Sequence, residues 1–295
     1  MKCRRSPRFK RGDGMGGARA TRRLLPAASS SARLHLAMTA GSDANDRDCK
    51  GALSRVARVG TLQAMSLPRY ALYVTLPPEI PVAGFGASAL GYECEGGTVV
   101  AQTVPSGLDP AAVAAATVAP SRYGFHATIV APFRLAPGST RGELIAALRS
   151  LAAACKPCPI GRLRVALLSR FIALVPVAPT PAISALAADT LVAFDALRAP
   201  PSTGDRERRI AGGLSARQLA LLDRWGYPYV HEEFRFHMTL AGPLPTADCE
   251  HWLAAYQTAF APLAHHALVV DALSLLCQEE PDSRFRLVER QPLSG

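Results

Sequence analysis

Tyr123-Gly124-Phe125-His126-Ala127-Thr128-Ile129 and Phe234-Arg235-Phe236-His237-Met238-Thr239-Leu240 are two versions of one phrase, His-x-Thr, standing 111 residues apart. In each, large apolar residues alternate with polar or small ones, the period-2 signature of a half-buried strand. The alternation predicts that Phe125, Ala127 and Ile129 face the interior, like Phe236, Met238 and Leu240 in the second copy. His126 and Thr128 then share the opposite face, as do His237 and Thr239. Residues two apart on a strand have Cα atoms about 6.6 Å apart, so an imidazole and a hydroxyl at that spacing converge on one small group such as a phosphate. Two copies facing each other would surround one centre with two imidazoles and two hydroxyls.

Tripeptides this short recur by chance about one time in five in a chain of this composition. The surrounding pattern carries more weight. After His126 comes a Pro/Gly turn (Pro132, Pro137, Gly138), an Ala/Leu-rich helix over 143–154, and a hairpin-like pair, 163–168 with 171–177. After His237 comes a second Pro/Gly turn (Gly242, Pro243, Pro245), a helix over 249–260, and a second pair, 268–276 with 284–289. Strand, turn, helix and hairpin occur twice in one order. Two copies make a duplicated unit, too few for a solenoid.

Elsewhere, a first strand is read at 69–74, a Gly-rich stretch of variable pattern at 84–107, and a helix over 110–118 opened by Asp109 with Pro110 at its first position. Neither Gly84-Phe85-Gly86 nor Gly96-Gly97 forms a complete phosphate-cradling fingerprint. Between the halves, 181–197 is helical, 200–209 is a polar Arg-rich loop, and a helix opened by Ser215 runs to about Trp225. Short strands with easy near-neighbour pairing predict an α+β fold of antiparallel sheets with outer helices, and the repeated order predicts a bilobal, pseudo-two-fold arrangement around a central groove.

The 295 residues carry a formal charge of +10, which would ordinarily suggest a nucleic-acid or anionic-membrane partner. The charge is not spread evenly. Residues 1–64 hold 14 Lys/Arg and 4 Asp/Glu, whereas 65–295 hold 19 of each. The leader, rich in Arg, Ser, Gly and Ala, is read as disordered. Its Arg clusters would suit a nucleic-acid arm or a transit peptide, but the favoured reading is upstream sequence preceding a physiological start at Met65. No apolar h-region of a secretory signal follows the basic start, and no uncharged apolar run is long enough for a membrane span. Seven scattered cysteines suit a reducing compartment, and the cytoplasm is the expected location. Cys155-Lys156-Pro157-Cys158 follows a predicted helix, whereas a thioredoxin-type pair opens one, so no redox or metal role is expected of it.

Histidine suits a shared phosphate site. With an ordinary pKa of about 6.5, one ring can be neutral while the other is protonated. The neutral ring takes a proton from an attacking hydroxyl or water; the protonated ring gives one to the leaving oxygen. Threonine hydroxyls can hydrogen-bond the non-bridging oxygens. No Asp, Glu or Cys cluster accompanies the pairs, so neither a metal nor a cofactor is implied.

The chain resembles the two-histidine (2H) phosphoesterase superfamily, and more closely a branch of it named for phosphonate metabolism. The phrases that carry the resemblance are Arg122-Tyr123-Gly124-Phe125-His126-Ala127-Thr128 and Ala131-Pro132-Phe133, then Phe194-Asp195 with Arg198-Ala199-Pro200. Trp225-Gly226-Tyr227-Pro228-Tyr229-Val230 and the second motif phrase complete them, so that the likeness covers 69–290. It implies catalytic roles for His126 and His237 and phosphate-binding roles for Thr128 and Thr239, without saying which histidine is acid and which base. Alternation adds Arg122 and Arg235 to the same strand faces, as contacts for an anionic substrate or as surface ion pairs, and sends Tyr123 to the core. One departure stands out: the branch commonly has Lys two positions after the first Thr, where this chain has Val130.

Three functions compete. The first is a metal-independent cyclic phosphodiesterase acting on a small phosphorylated sugar or nucleotide in phosphonate breakdown. The second is an enzyme that opens RNA 2′,3′-cyclic ends or joins 2′-5′ linkages, for which short RNA ends would be partners; the neutral charge of 65–295 disfavours a long RNA footprint. The third is a non-catalytic nucleotide-binding module. No membrane partner is expected, and the sequence leaves the oligomeric state open.

Overall fold

Strand β1 (Arg69–Val74) starts the fold, followed by helix α1 (Pro81–Leu90), a two-stranded ribbon of β2 (Tyr92–Glu93) and β3 (Thr98–Val99), and α2 (Pro110–Ser121). The first motif lies at the head of β4 (Ala127–Phe133), which leads through α3 (Arg141–Ala154) to β5 (Cys158–Leu168) and β6 (Phe171–Pro176). Three helices follow: α4 (Pro181–Phe194), α5 (Thr203–Ile210) and α6 (Ala216–Trp225). The second motif heads β7 (Met238–Ala241), and α7 (Cys249–Phe260), β8 (Ala267–Val270), β9 (Ala272–Gln278) and β10 (Arg286–Pro292) complete the chain. This is a computed structural model describing residues 68–295; the basic leader and the start at Met65 lie outside the described residues.

The strands form one antiparallel sheet in the order β10-β9-β1-β4-β7-β6-β5-β8. It divides into two four-stranded halves joined at β4 and β7, whose single registered pair is Ala127 with Met238. The expected pseudo-two-fold passes through this pair. It relates β1 to β6, β4 to β7 and α3 to α7, so the first hairpin's second strand begins the second unit. The two ends of the sheet also meet. β8 pairs with the first part of β5, and only Asp271 separates β8 from β9 at the other end of the order. Val270 and Ala272 can be no more than about 7 Å apart, so the sheet curls until its ends are bridged by one bent segment. β5 bends at the equivalent point, where Gly161 takes φ +75° and the register with β8 shifts.

Most of the helices are set by an apolar stripe, and a side-chain cap opens α2, α3, α5 and α6. In α3, Thr140 accepts from the Glu143 amide while Glu143 accepts from the Thr140 amide, and Leu144 and Leu148, one turn apart, are fully buried. Burying each such leucine contributes about 1.5–3 kcal/mol. In α7, Trp252, Tyr256 and Phe260 repeat the spacing beneath β5 and β6. The α3 and α7 helices cover one face of the sheet, where Leu72, Val74, Ala127, Ile129, Met238 and Leu240 join the main core. The other face carries the motif histidines beside a smaller cluster of Ala71, Tyr73, Tyr92, Cys94, Leu276 and Phe285.

Three elements differ from the sequence reading, the first being the strand over 268–276, which breaks at Asp271 into β8 and β9. The Gly-rich stretch begins as the α1 helix. Its Gly86 is covered by Phe125, whose ring lies where a Cβ would be. Glycine lowers helix propensity by roughly 1 kcal/mol, which hid the helix, yet it is what lets the motif strand pack there. The Arg-rich stretch is the helix α5, not a loop. It buries no residue and rests instead on the Ser202 cap and on Arg134–Asp205 and Arg206–Asp223 ion pairs. Periodicity has nothing to register in such a helix. Gly84-Phe85-Gly86 lies within α1 and Gly96-Gly97 in the ribbon turn.

Candidate active site

The pairing of Ala127 with Met238 fixes the site. In an antiparallel pair, residues one step to either side of a registered pair lie opposite each other. His126 therefore stands opposite Thr239, and Thr128 opposite His237. His126, Thr128, His237 and Thr239 are all partly exposed, between the buried Phe125, Ala127 and Ile129 of one motif and Phe236, Met238 and Leu240 of the other. The two motifs cross, and each histidine has one threonine two residues away on its own strand and another across the seam. His126 and Thr239 line one cavity together with Tyr123, Gly124, Ala119, Pro120 and Phe171.

Each imidazole is held in the same way. His126 Nδ1–H donates to the carbonyl of Gly124 at 2.8 Å, and His237 Nδ1–H donates to the carbonyl of Arg235 at 2.7 Å. A carbonyl can only accept, so Nδ1 carries a proton in both rings, and in His126 Nε2 is left as the acceptor. It accepts from the Thr128 hydroxyl at 3.1 Å. Gly124 makes the geometry possible: it has φ +73°, and a Cβ there would lie 2.5 Å from Cys94 Cβ. The His126 ring also stacks on buried Tyr73, centroids 3.7 Å apart. Burial pushes its pKa down to about 4, opposed by the Gly124 hydrogen bond and assisted by nearby His237. In the ligand-free protein His126 is thus neutral through the physiological range.

The remaining candidates fall elsewhere than alternation placed them. Residues 122–124 are the turn that follows α2, and 234–237 are irregular, so neither Arg122 nor Arg235 lies on a strand. Arg122 sits at the outer mouth, 3.8 Å from Asp282, and Arg235 is exposed. Tyr123, assigned to the core, instead lines the groove with its ring centroid 6.1 Å from that of His126. Val130 is 1% exposed in the main core. A register shift between Thr128 and Val130 turns it off the motif face, so a lysine here would not point at the quartet as simple alternation suggests.

Sequence reasoning missed Arg69, Tyr73, Arg209 and Tyr227, which share a cavity of about 260 Å³ with Tyr123, His126 and Thr128. They come from β1, α5 and the segment after α6, and no local pattern links them. Among the described residues no three His, Cys, Asp or Glu side chains gather as metal ligands, five cysteines are free thiols, and no helix is long and apolar enough to cross a membrane.

A family model described as "Protein of unknown function (DUF1045)" matches residues 128–286. Among curated proteins, a ribose 1,5-bisphosphate phosphokinase PhnN of Janthinobacterium sp. (strain Marseille) is 39% identical over 78% of this chain and 52% of its own length. Its namesake from Laribacter hongkongensis (strain HLHK9) is 38% identical over 74% of this chain and 50% of its own. The chain thus spans about half the length of these relatives. Among solved structures, a phosphoesterase aligns with 78% of this chain and 99% of its own at 15% identity and TM-score 0.34. E. coli LigT complexed with phosphate aligns with 78% of this chain and 100% of its own at 14% identity and TM-score 0.34. Scores this low decide nothing about the site.

Proposed function

The chain belongs to the DUF1045 family, and from its site we propose that it is a cyclic phosphodiesterase acting on a small phosphorylated sugar or nucleotide with two imidazoles and no metal. The observation that carries the reading is the crossed pairing of the two His-x-Thr motifs about Ala127 and Met238. A phosphorus seated above that pair has an imidazole on either side and two threonine hydroxyls facing its non-bridging oxygens. His126, neutral and with Nε2 left as the acceptor, is the base: it takes a proton from water as the water oxygen attacks phosphorus. His237, protonated, gives its Nε2 proton to the ring oxygen as the P–O bond breaks. The product is an acyclic phosphomonoester beside a new hydroxyl. Thr128 and Thr239 stabilise the charge that grows on the phosphoryl oxygens.

The printed name of the curated relatives concerns ribose 1,5-bisphosphate, a small phosphorylated sugar, which supports the same substrate class. A place in phosphonate breakdown rests on the sequence resemblance alone. The phosphokinase activity in that name is not carried over. The chain contains no G-x-x-x-x-G-K-S/T loop, and Lys156 is the single lysine after position 64. The test is hydrolysis of cyclic phosphates by the purified protein in excess chelator, with His237→Ala as the inactive control. Activity abolished by chelator, or undiminished in His237→Ala, overturns the reading.

A further inference from the structure

The cavity that begins at His126 and Thr128 ends on two arginines and contains no carboxylate. Arg69 lies on the site face of β1, four residues before Tyr73, which is paired with Thr128. Four strand residues span about 13 Å between Cα atoms, which places the arginine beyond the reacting phosphate, further along the groove. Its guanidinium donates through Nε to Gln278 Oε1 at 2.7 Å and lies 5.7 Å from the Phe285 ring centroid. Gln278 is 2% exposed, and its amide nitrogen donates to the carbonyls of Pro281 and Ser283, which fixes its oxygen toward Arg69. Arg209 arrives from α5, donating to the Gly226 carbonyl at 2.6 Å with its guanidinium 5.2 Å from the Tyr227 ring centroid.

Arg69 and Arg209 also line the adjoining, larger cavity with Asp205, Glu280 and Asp282, yet neither is paired with them. At the outer mouth, Arg122 faces Asp282, while Arg134 and Arg208 both pair with Asp205. Among the described residues, Arg69 and Arg209 have no carboxylate within ion-pair distance; their partners are an amide, a carbonyl and two aromatic faces. Both are half-buried; burial disfavours the charged form of Arg209, Tyr227 and Asp205 favour it, and Arg208 and Arg69 oppose it. Partly desolvated cations held by neutral groups are poised for an anion that brings its own charge.

We propose that Arg69 and Arg209 form a second anion subsite that grips a phosphomonoester on the same substrate molecule. This rests on the cyclic phosphodiesterase reading. The substrate is then doubly phosphorylated: a cyclic phosphodiester over the two motifs and, a sugar's length away, a phosphomonoester in the arginine fork. Only the cyclic ester reacts; the second phosphate leaves unchanged on the product.

The test pairs a kinetic arm with a binding arm. Uridine 2′,3′-cyclic phosphate and its 5′-phosphorylated form differ only in the phosphomonoester. The wild-type protein is expected to favour the phosphorylated form in kcat/KM by on the order of 10- to 100-fold. That ratio should collapse toward unity in Arg69→Gln and Arg209→Gln and be partly kept in Arg209→Lys, each checked for folding by thermal melting. In the binding arm, ribose 5-phosphate is titrated calorimetrically. Its affinity should fall at least 10-fold in either Gln variant and stay near wild type in His126→Ala. Hydrolysis with no preference and no arginine-dependent binding overturns the subsite and leaves the phosphodiesterase standing. Arginine-dependent binding without hydrolysis of either nucleotide overturns the phosphodiesterase and leaves an anion site. Binding that depends on His126 rather than on the arginines shows the phosphate sitting at the motifs, and overturns the subsite.

Discussion

Ala127 and Met238 are the one registered pair between the two halves of the sheet, and their small and flexible side chains, both fully buried, lie directly beneath the four polar groups of the site. Each histidine thereby comes to stand across from the other motif's threonine. The chemistry depends on that register: a slip of either strand by one residue would turn its own imidazole toward the core and away from the other.

Loss of either imidazole is expected to reduce turnover by about 10²–10⁴, the usual contribution of a positioned general acid or base. Since both act in one proton-transfer cycle, His126→Ala/His237→Ala should be little slower than either single variant. Single-turnover rates on a cyclic phosphate check this. Strictly additive losses would mean that the two rings act independently.

Gly124→Ala should damage both fold and site. The left-handed backbone alone costs about 1–3 kcal/mol for a residue with a Cβ, and that Cβ would lie 2.5 Å from Cys94 Cβ. Any shift that relieves the contact moves the carbonyl holding His126 Nδ1–H. Thermal melting should show the loss of stability, and imidazole nitrogen shifts a mixture of tautomers in place of one. Unchanged shifts would remove Gly124 from its positioning role.

The depressed pKa of His126 makes stability depend on pH. The unfolded chain protonates this ring near the ordinary value of about 6.5, whereas the folded protein resists until about 4. Between these limits the unfolded state binds more protons, so stability falls as pH drops through the window and gains nothing from this group above it. Urea unfolding at pH 7.5 and pH 5 should show a smaller decline in His126→Phe than in wild type.

Asp205→Asn should loosen α5. Burial alone would raise the Asp205 pKa, but the Ser202 hydroxyl and the Arg134 and Arg208 guanidinium groups hold it down at about 2. The helix has no buried side chain to replace those contacts. Hydrogen exchange across 203–210 should quicken while the strands keep their protection, and equal protection in the variant would show that α5 is held by other means.

The parts of this architecture legible in the sequence were those that bury apolar residues at a regular period. The α3 and α7 helices, the hairpin of β5 and β6, and the inward faces of both motifs follow from that. The site's nearest four side chains were legible for the same reason: Ala127 and Met238 mark the buried side, so His126, Thr128, His237 and Thr239 occupy the other. Periodicity failed where backbone geometry or charge took over. Tyr123 was sent to the core because the strand alternation was extended back through a turn set by the left-handed Gly124. That Val130 turns into the core could not be read either, because a register shift is invisible in the letters. Arg69 and Arg209 lie 140 positions apart and meet only because β1 and the segment preceding α6 flank one groove.

The curled sheet has a consequence for how the protein is made. Its two outermost strands, β8 beside β5 and β10 beside β9, both come from residues 267–292. As a nascent chain leaves the ribosome, β1 has β4 on one side but waits some two hundred residues for β9 on the other. β5 waits likewise for β8. Until the last strands emerge, both halves present bare backbone edges, the kind that recruit neighbouring chains. Residues 267–292 therefore work as a clasp for the sheet, and a chain stalled before residue 267 would have neither half of it complete.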